Sequence, residues 1–206
     1  MKNAAVGFRP HSGWTALVAV SLERGKPVVL LRERVHLVKT FNYAFRQPYH
    51  TAAKAPLEEG QAFIAQVRDE ARQLAYRALR QVQAKLGDAD YRLTCSGHLE
   101  GGGRMLPGLE KILAAHPLIH TAEGEFFREV LLHASKKFGL TQFQVKEKDL
   151  LPHASVALRR KKEKLQTQLT ALGKPLGPPW SQDEKFATLV AWLALHPPSP
   201  RRTKAA

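Results

Sequence analysis

Apolar positions along the chain recur with two different periods. Ala4-Ala5-Val6-Gly7-Phe8 is a short apolar run, Arg9 to Gly13 is turn material, and Trp14 to Leu22 is rich in residues that suit a pleated surface. Glu23-Arg24-Gly25-Lys26-Pro27 interrupts the pattern, which resumes from Val28 to Val38 with Val29, Leu31, Glu33, Val35 and Leu37 alternating with Leu30, Arg32, Arg34 and His36. These runs predict an antiparallel meander with one face on a core and one partly wet. Residues 40 to 56 show no clear period. Phe63, Val67, Ala71, Leu74, Ala75, Ala78, Leu79 and Val82 then recur at helical spacing, which predicts a long amphipathic helix from about 57 to 86, closed by Gly87.

The second half of the chain alternates. Tyr91 to Gly97 predicts a buried strand, Leu106 to Ala115 a short helix, Thr121 to Phe138 a helix ended by Gly139, and Thr141 to Lys146 a further strand. Leu151 to Leu172 is expected to be one basic helix, and after the rigid break from Gly173 to Trp180 a final helix runs from Ser181 to Leu195. Parallel neighbours need crossover helices, so three meander strands followed by strand and helix alternation predict a mixed sheet with helices on both faces. That is the ribonuclease H-like α/β arrangement, here with a C-terminal helical extension. A chain of 206 residues fits one core. Residues 1–196 are therefore expected to form a single domain, with the basic tail 197–206 disordered.

Composition narrows the class. Lys plus Arg number 32 against 18 Asp plus Glu, a formal net charge of +14, and hydrophobic residues make up 44%. That is enough apolar material for a core, and the single cysteine excludes a disulfide scaffold and a cysteine-rich zinc site. No run approaches the length of a membrane span and the start lacks the apolar stretch of a secretion signal, so the expectation is a soluble cytoplasmic protein without a membrane partner. The positive excess points to nucleic acid, DNA or RNA, because clustered cations displace counterions from phosphate backbones. Arg159, Arg160, Lys161, Lys162 and Lys164 are the densest such cluster.

Two segments carry a family resemblance. Val6-Gly7-Phe8-Arg9-Pro10-His11-Ser12-Gly13-Trp14-Thr15 resembles the opening of RuvC-like Holliday junction resolvases, in which a strand ends in Gly-x-Asp-Pro-Gly-Ser and turns back. The last helix, Gln182 to Leu195, is similar to the family's final helix, which starts acidic and continues small and apolar. The resemblance implies a metal-dependent phosphodiesterase in which carboxylates hold Mg²⁺. Arg9 stands where the family has its first Asp, and a guanidinium cannot ligate a cation. If activity is kept, the expected Mg²⁺ ligands are Glu123 and Asp183, with Glu100 as a weaker third. His11 or His120 would then transfer a proton or contact phosphate, and Arg9 would join the nucleic-acid surface.

Other readings of the same residues stay open. Thr121 could cap its helix with Glu123 and Glu125 complementing the positive end, and Ser181-x-x-Glu184 has the form of a capping box. The nine histidines are read as forming no His-x-x-x-His helical pair and no Cys-His zinc spacing. For function, the alternative to a nuclease is a non-catalytic RNA- or ribosome-associated adaptor similar to the middle domain of peptide-chain release factors. A third is a small phosphorylated ligand held near Arg9, His11 and Gly101 to Gly103.

Overall fold

The computed structural model describes residues 1–102 and 105–196, so the tail 197–206, expected to be disordered, lies outside the described residues. Strands β1 (Lys2–His11), β2 (Trp14–Glu23) and β3 (Lys26–His36) form the meander. The β2–β3 turn is made by Arg24 and Gly25 at φ 49° and 74°, the positive-φ pair that matches the twist of a two-residue hairpin. The connection that showed no period holds two short helices, α1 (Tyr43–Arg46) and α2 (Pro48–Ala52). The long helix α3 (Leu57–Gly87) leads into β4 (Tyr91–Glu100), then α4 (Leu109–Leu113), α5 (His116–Phe138) and β5 (Thr141–Lys146). A 3-10 turn, Glu147–Asp149, precedes α6 (Leu150–Ala157), α7 (Lys162–Gly173) and α8 (Gln182–Ala194).

The five strands lie in the order β3-β2-β1-β4-β5, with the meander antiparallel and β1, β4 and β5 parallel. This mixed sheet with helices on both sides is the arrangement the element order predicts. Alternation along β1 assigns the faces. Ala4, Val6 and Phe8 pack with α3 and α5, whereas Ala5 joins the core made with α8, α6 and α7.

Helix α8 is the deepest element, with Ala187 to Leu193 all buried. It lies close against the sheet because Gly7 and Gly97 sit side by side in the β1–β4 register. A Cβ at Gly7 would overlap the Ala187 carbonyl and stand 2.9 Å from the Ala191 amide nitrogen, and a Cβ at Gly97 would overlap the Val190 carbonyl. The capping box is present: Glu184 Oε2 accepts from the Ser181 amide at 2.7 Å, and Ser181 Oγ accepts from the Asp183 amide at 3.1 Å. Cap and glycine pair together fix the start of α8 above the end of β1.

The single basic helix expected over 151–172 is corrected to two, because Arg159 takes up a left-handed conformation at φ 51°. The Arg160 amide donates to Ser155 O and the Arg159 amide to Val156 O, the reciprocal bonds that close a helix C-terminus. Such a stop is normally signalled by glycine, and arginine gives no sign of it.

On β4, His98 is 4% exposed, with Nε2 at 2.9 Å from Ser96 Oγ, and burial pushes its imidazole down to about 3. It stays neutral in the fold until far below the pH at which the unfolded chain takes up the proton near 6.5, so stability is intact above that value and falls as pH drops below it. At pH 5.5 the loss from this residue is about 1 kcal/mol. Urea unfolding of wild type and His98→Gln at pH 7.5 and 5.5 is expected to show that much less pH dependence in the variant.

Candidate strand-end site

The carboxyl ends of β1, β4 and β5 converge where the sheet changes from antiparallel to parallel, the location at which open α/β sheets place ligands. Arg9 projects there from β1 onto the α8 side. Its guanidinium donates from one nitrogen to Asp183 Oδ1, at the start of α8, and from the other to Glu147 Oε1 at 2.8 Å, just after β5. The Phe186 ring lies 5.5 Å from the same guanidinium. His11, two residues along β1, places Nε2 3.1 Å from the other Asp183 oxygen and stacks on Trp14 with ring centres 4.2 Å apart. Arg128 of α5 completes the line, with one nitrogen 3.8 Å from Glu147 Oε2 and Nε donating to the Leu99 carbonyl at 3.0 Å.

The result is a row of alternating charges, Asp183, Arg9, Glu147 and Arg128. Arg9 is 20% exposed, Asp183 21% and Glu147 31%, so the pairs are shielded more than a surface bridge. Burial works against the Arg9 charge, but the Glu147 and Asp183 carboxylates outweigh it and hold the guanidinium above its ordinary value. This geometry changes the expectation for Arg9, because both terminal nitrogens of its guanidinium are held by carboxylates of the protein itself.

The expected ligand set Glu123, Asp183 and Glu100 is not assembled. Among the described residues, the histidines His50, His116 and His120 are the group of three metal-ligating side chains found together, and those carboxylates form none. Alternation in β1 explains the separation, because α5 packs on one face of the strand and α8 on the other. Glu123 is turned inward, as its spacing from Phe127 predicts, but its Oε1 accepts from the Tyr49 and His50 amides at 2.7 and 3.0 Å. Burial pushes this carboxyl up to about 7, against the lowering effect of the two backbone donors. Glu100 ends β4 and lines a separate concavity of about 210 Å³ with Glu125, Arg128 and Gln144. A divalent cation therefore does not fit the strand-end site as built: a guanidinium already stands between Asp183 and Glu147, and a cation there would meet its charge.

Helix α5 begins at His116, which corrects both the Thr121 cap and the statement about histidine spacing. Pro117 is tolerated in the first turn, where its missing N–H has no helical partner to lose. Thr121 instead donates to the Pro117 carbonyl at 2.9 Å, and His116 and His120 fall one turn apart on one helix. Pro117 was the signal that would have revealed the pair. Glu147 also had a signal, as the acidic residue that directly follows the last strand; Arg128 and His50 had none, since only tertiary packing brings them in.

The remaining predicted contacts lie elsewhere. Arg159, Arg160, Lys161, Lys162 and Lys164 are all exposed around the α6–α7 break, on the α8 side of the sheet. A second basic groove of about 440 Å³ lies between α3 and α5 on the opposite side, with Arg72, Tyr76, Arg77, Arg80, His133 and Lys137. Arg72 is paired with Glu129 at 2.7 Å, while Arg77, Arg80 and Lys137 make no ion pair among the described residues. Of the small-ligand site expected near Arg9, His11 and Gly101 to Gly103, Gly103 is outside the described residues, and Gly101 faces the Glu125 carboxylate.

No described helix is long and apolar enough to cross a membrane. No family model matches the chain, and no curated protein matches its sequence. Among solved structures, the chain is similar to RuvC of T. thermophilus in complex with a Holliday junction substrate, at 11% identity and a TM-score of 0.53 over 94% of this chain and 93% of that one. The Thermus thermophilus RuvC structure without that description matches at 14% identity and a TM-score of 0.45, over 92% and 91% of the two chains. The fold of this chain is thus RuvC-like and of the ribonuclease H-like type, over nearly its whole length.

Proposed function

We propose that this protein binds nucleic acid through a RuvC-like scaffold and does not cut it with metal ions at the strand-end site. The observation that carries the reading is the Arg9 guanidinium bridging Asp183 and Glu147. Phosphodiester hydrolysis by metal ions needs carboxylates free to hold those ions beside attacking and leaving oxygens. Here both carboxylates neutralise an internal cation that cannot coordinate, activate water or leave the site without exposing them. Of the two outcomes open to a RuvC-like chain, retained chemistry or a retained binding surface, the ion-pair row favours the second.

The binding side of the proposal rests on charge. A net charge of +14 and two exposed basic surfaces are suited to phosphate backbones. The similarity to a protein solved with a branched DNA makes a Holliday junction the first substrate to test. Contacts of this type fix affinity with little sequence preference.

The test pairs binding with cleavage. Junction, duplex DNA and RNA are incubated with wild type over a series of salt concentrations, with and without Mg²⁺ or Mn²⁺. Binding is expected to weaken steeply with salt, and replacing Arg159, Arg160 and Lys161 by Gln is expected to reduce the slope of log affinity against log salt by roughly one per lost phosphate contact. No cleavage is expected with either ion. Metal-dependent cleavage that disappears in Asp183→Asn would show that the site is catalytic and overturn the reading.

A further inference from the structure

We propose that His50, His116 and His120 form a binding site for a divalent transition-metal ion of the zinc class, with Glu123 as the residue that orients His50. The site is separate from the carboxylates around Arg9 and joins α2 to the first turns of α5. One ligand atom from each of the three histidines lies within 4.8 Å of the others. The rings meet edge to face, with centres 4.4 Å apart for His116 and His120, 4.8 Å for His50 and His120, and 5.6 Å for His50 and His116. Among the described residues no hydrogen bond joins these rings, so mutual bonding does not account for their convergence.

The chemistry of the set selects the ion. Three imidazole nitrogens suit zinc, copper, nickel or cobalt, whereas magnesium and calcium require oxygen. Zinc–nitrogen bonds of about 2.0–2.1 Å in a tetrahedron place ligand atoms about 3.4 Å apart. The three side chains therefore have to close by only about 1.4 Å at the widest pair. His116 and His120 are exposed and have room to turn, while His50 is half-buried and held.

Glu123 supplies the second, independent observation. Its Oε1 lies 3.3 Å from His50 Nδ1, and its buried Oε2 has no hydrogen-bond partner. A carboxylate accepting Nδ1–H fixes the tautomer that leaves Nε2 with a free lone pair, the usual support for a metal-binding imidazole. When ionised, it also offsets the positive end of α5, which by itself works against a cation. Three protein nitrogens leave a fourth position for water or an incoming ligand. His50, His120 and Glu123 also line a concavity of about 280 Å³ whose other walls include His11, Ser12 and Arg128.

The experiment uses the full chain without a histidine tag, stripped with a chelator and dialysed. Zn²⁺ is titrated by calorimetry, and Co²⁺ by its visible absorption, which reports coordination geometry. One ion per chain is expected, with the intense absorption of a four-coordinate cobalt site, and excess Mg²⁺ leaves it in place. His116→Ala and His120→Ala, both at exposed positions that the fold does not need, are expected to weaken Zn²⁺ binding at least about tenfold each, and Glu123→Gln about tenfold. His153→Ala, an exposed histidine outside the cluster, is expected to bind as wild type does. Absence of saturable binding, a loss under tenfold in both histidine variants, an equal loss in His153→Ala, or displacement by Mg²⁺ would each overturn the proposal.

Discussion

Gly7→Ala is expected to destabilise the protein by about 3 kcal/mol or more, the upper end of the range for forcing extra atoms into a packed core. The added Cβ meets the Ala187 carbonyl and the Ala191 amide, and both are backbone of a buried helix. No side-chain rotation relieves the overlap, so α8 must lift from β1 along the face that carries the buried Ala187, Val190 and Ala191. Gly97→Ala should act in the same way, through the Val190 carbonyl. Urea denaturation measures the effect as a lower midpoint at unchanged slope. A loss below about 1 kcal/mol in both variants would mean that α8 does not dock as described.

Arg9→Ala is expected to cost about 2–3 kcal/mol, somewhat below the range for breaking a fully buried ion pair, because Asp183 and Glu147 keep partial contact with water. Arg9→Lys should lose a substantial part of the same amount, since one ammonium does not reproduce the flat fork that reaches both carboxylates. The variant also tests the chemical reading of the site. With the guanidinium gone, Asp183 and Glu147 lose the cation that stands between them, and Mg²⁺ or Mn²⁺ is expected to raise the melting temperature of Arg9→Ala but not of wild type. An equal rise in both proteins would show that arginine does not occupy the place of a metal ion. The two substitutions are linked, because α8 carries Asp183 to Arg9. Gly7→Ala combined with Arg9→Ala should cost less than the sum of the single changes.

The fold brings Asp183 from the last helix and Glu147 from the end of the last strand to one rim, on either side of the Arg9 guanidinium. What the guanidinium removes is the uncompensated negative charge that would draw in a cation. His11, stacked on Trp14 and close to Asp183, extends the same cluster. The histidine cluster on the α5 side of the sheet has the opposite character, with three lone-pair donors brought together and a carboxylate behind one of them.

The sheet and its main helices were legible in the sequence because their periods are local properties. Alternation from Val28 to Val38, the helical recurrence from Phe63 to Val82 and the Ser181-x-x-Glu184 box each reflect neighbours that satisfy one another within a few residues. The inward turn of Glu123 was legible for the same reason, through its spacing from Phe127. The break at Arg159 was not, since a left-handed arginine is held by its neighbours' hydrogen bonds rather than by its own preference. The start of α5 at His116, and with it the His116 and His120 pair, was not legible from apolar spacing, because Pro117 marks a first helical turn only where the chain before it turns. Only the tertiary structure decided which carboxylates meet which cations: opposite faces of β1 send Glu123 to the α2 backbone and Asp183 to Arg9. The partners of these charges lie far away along the chain, and no period in the sequence encodes a contact made by packing two helices on opposite sides of one strand.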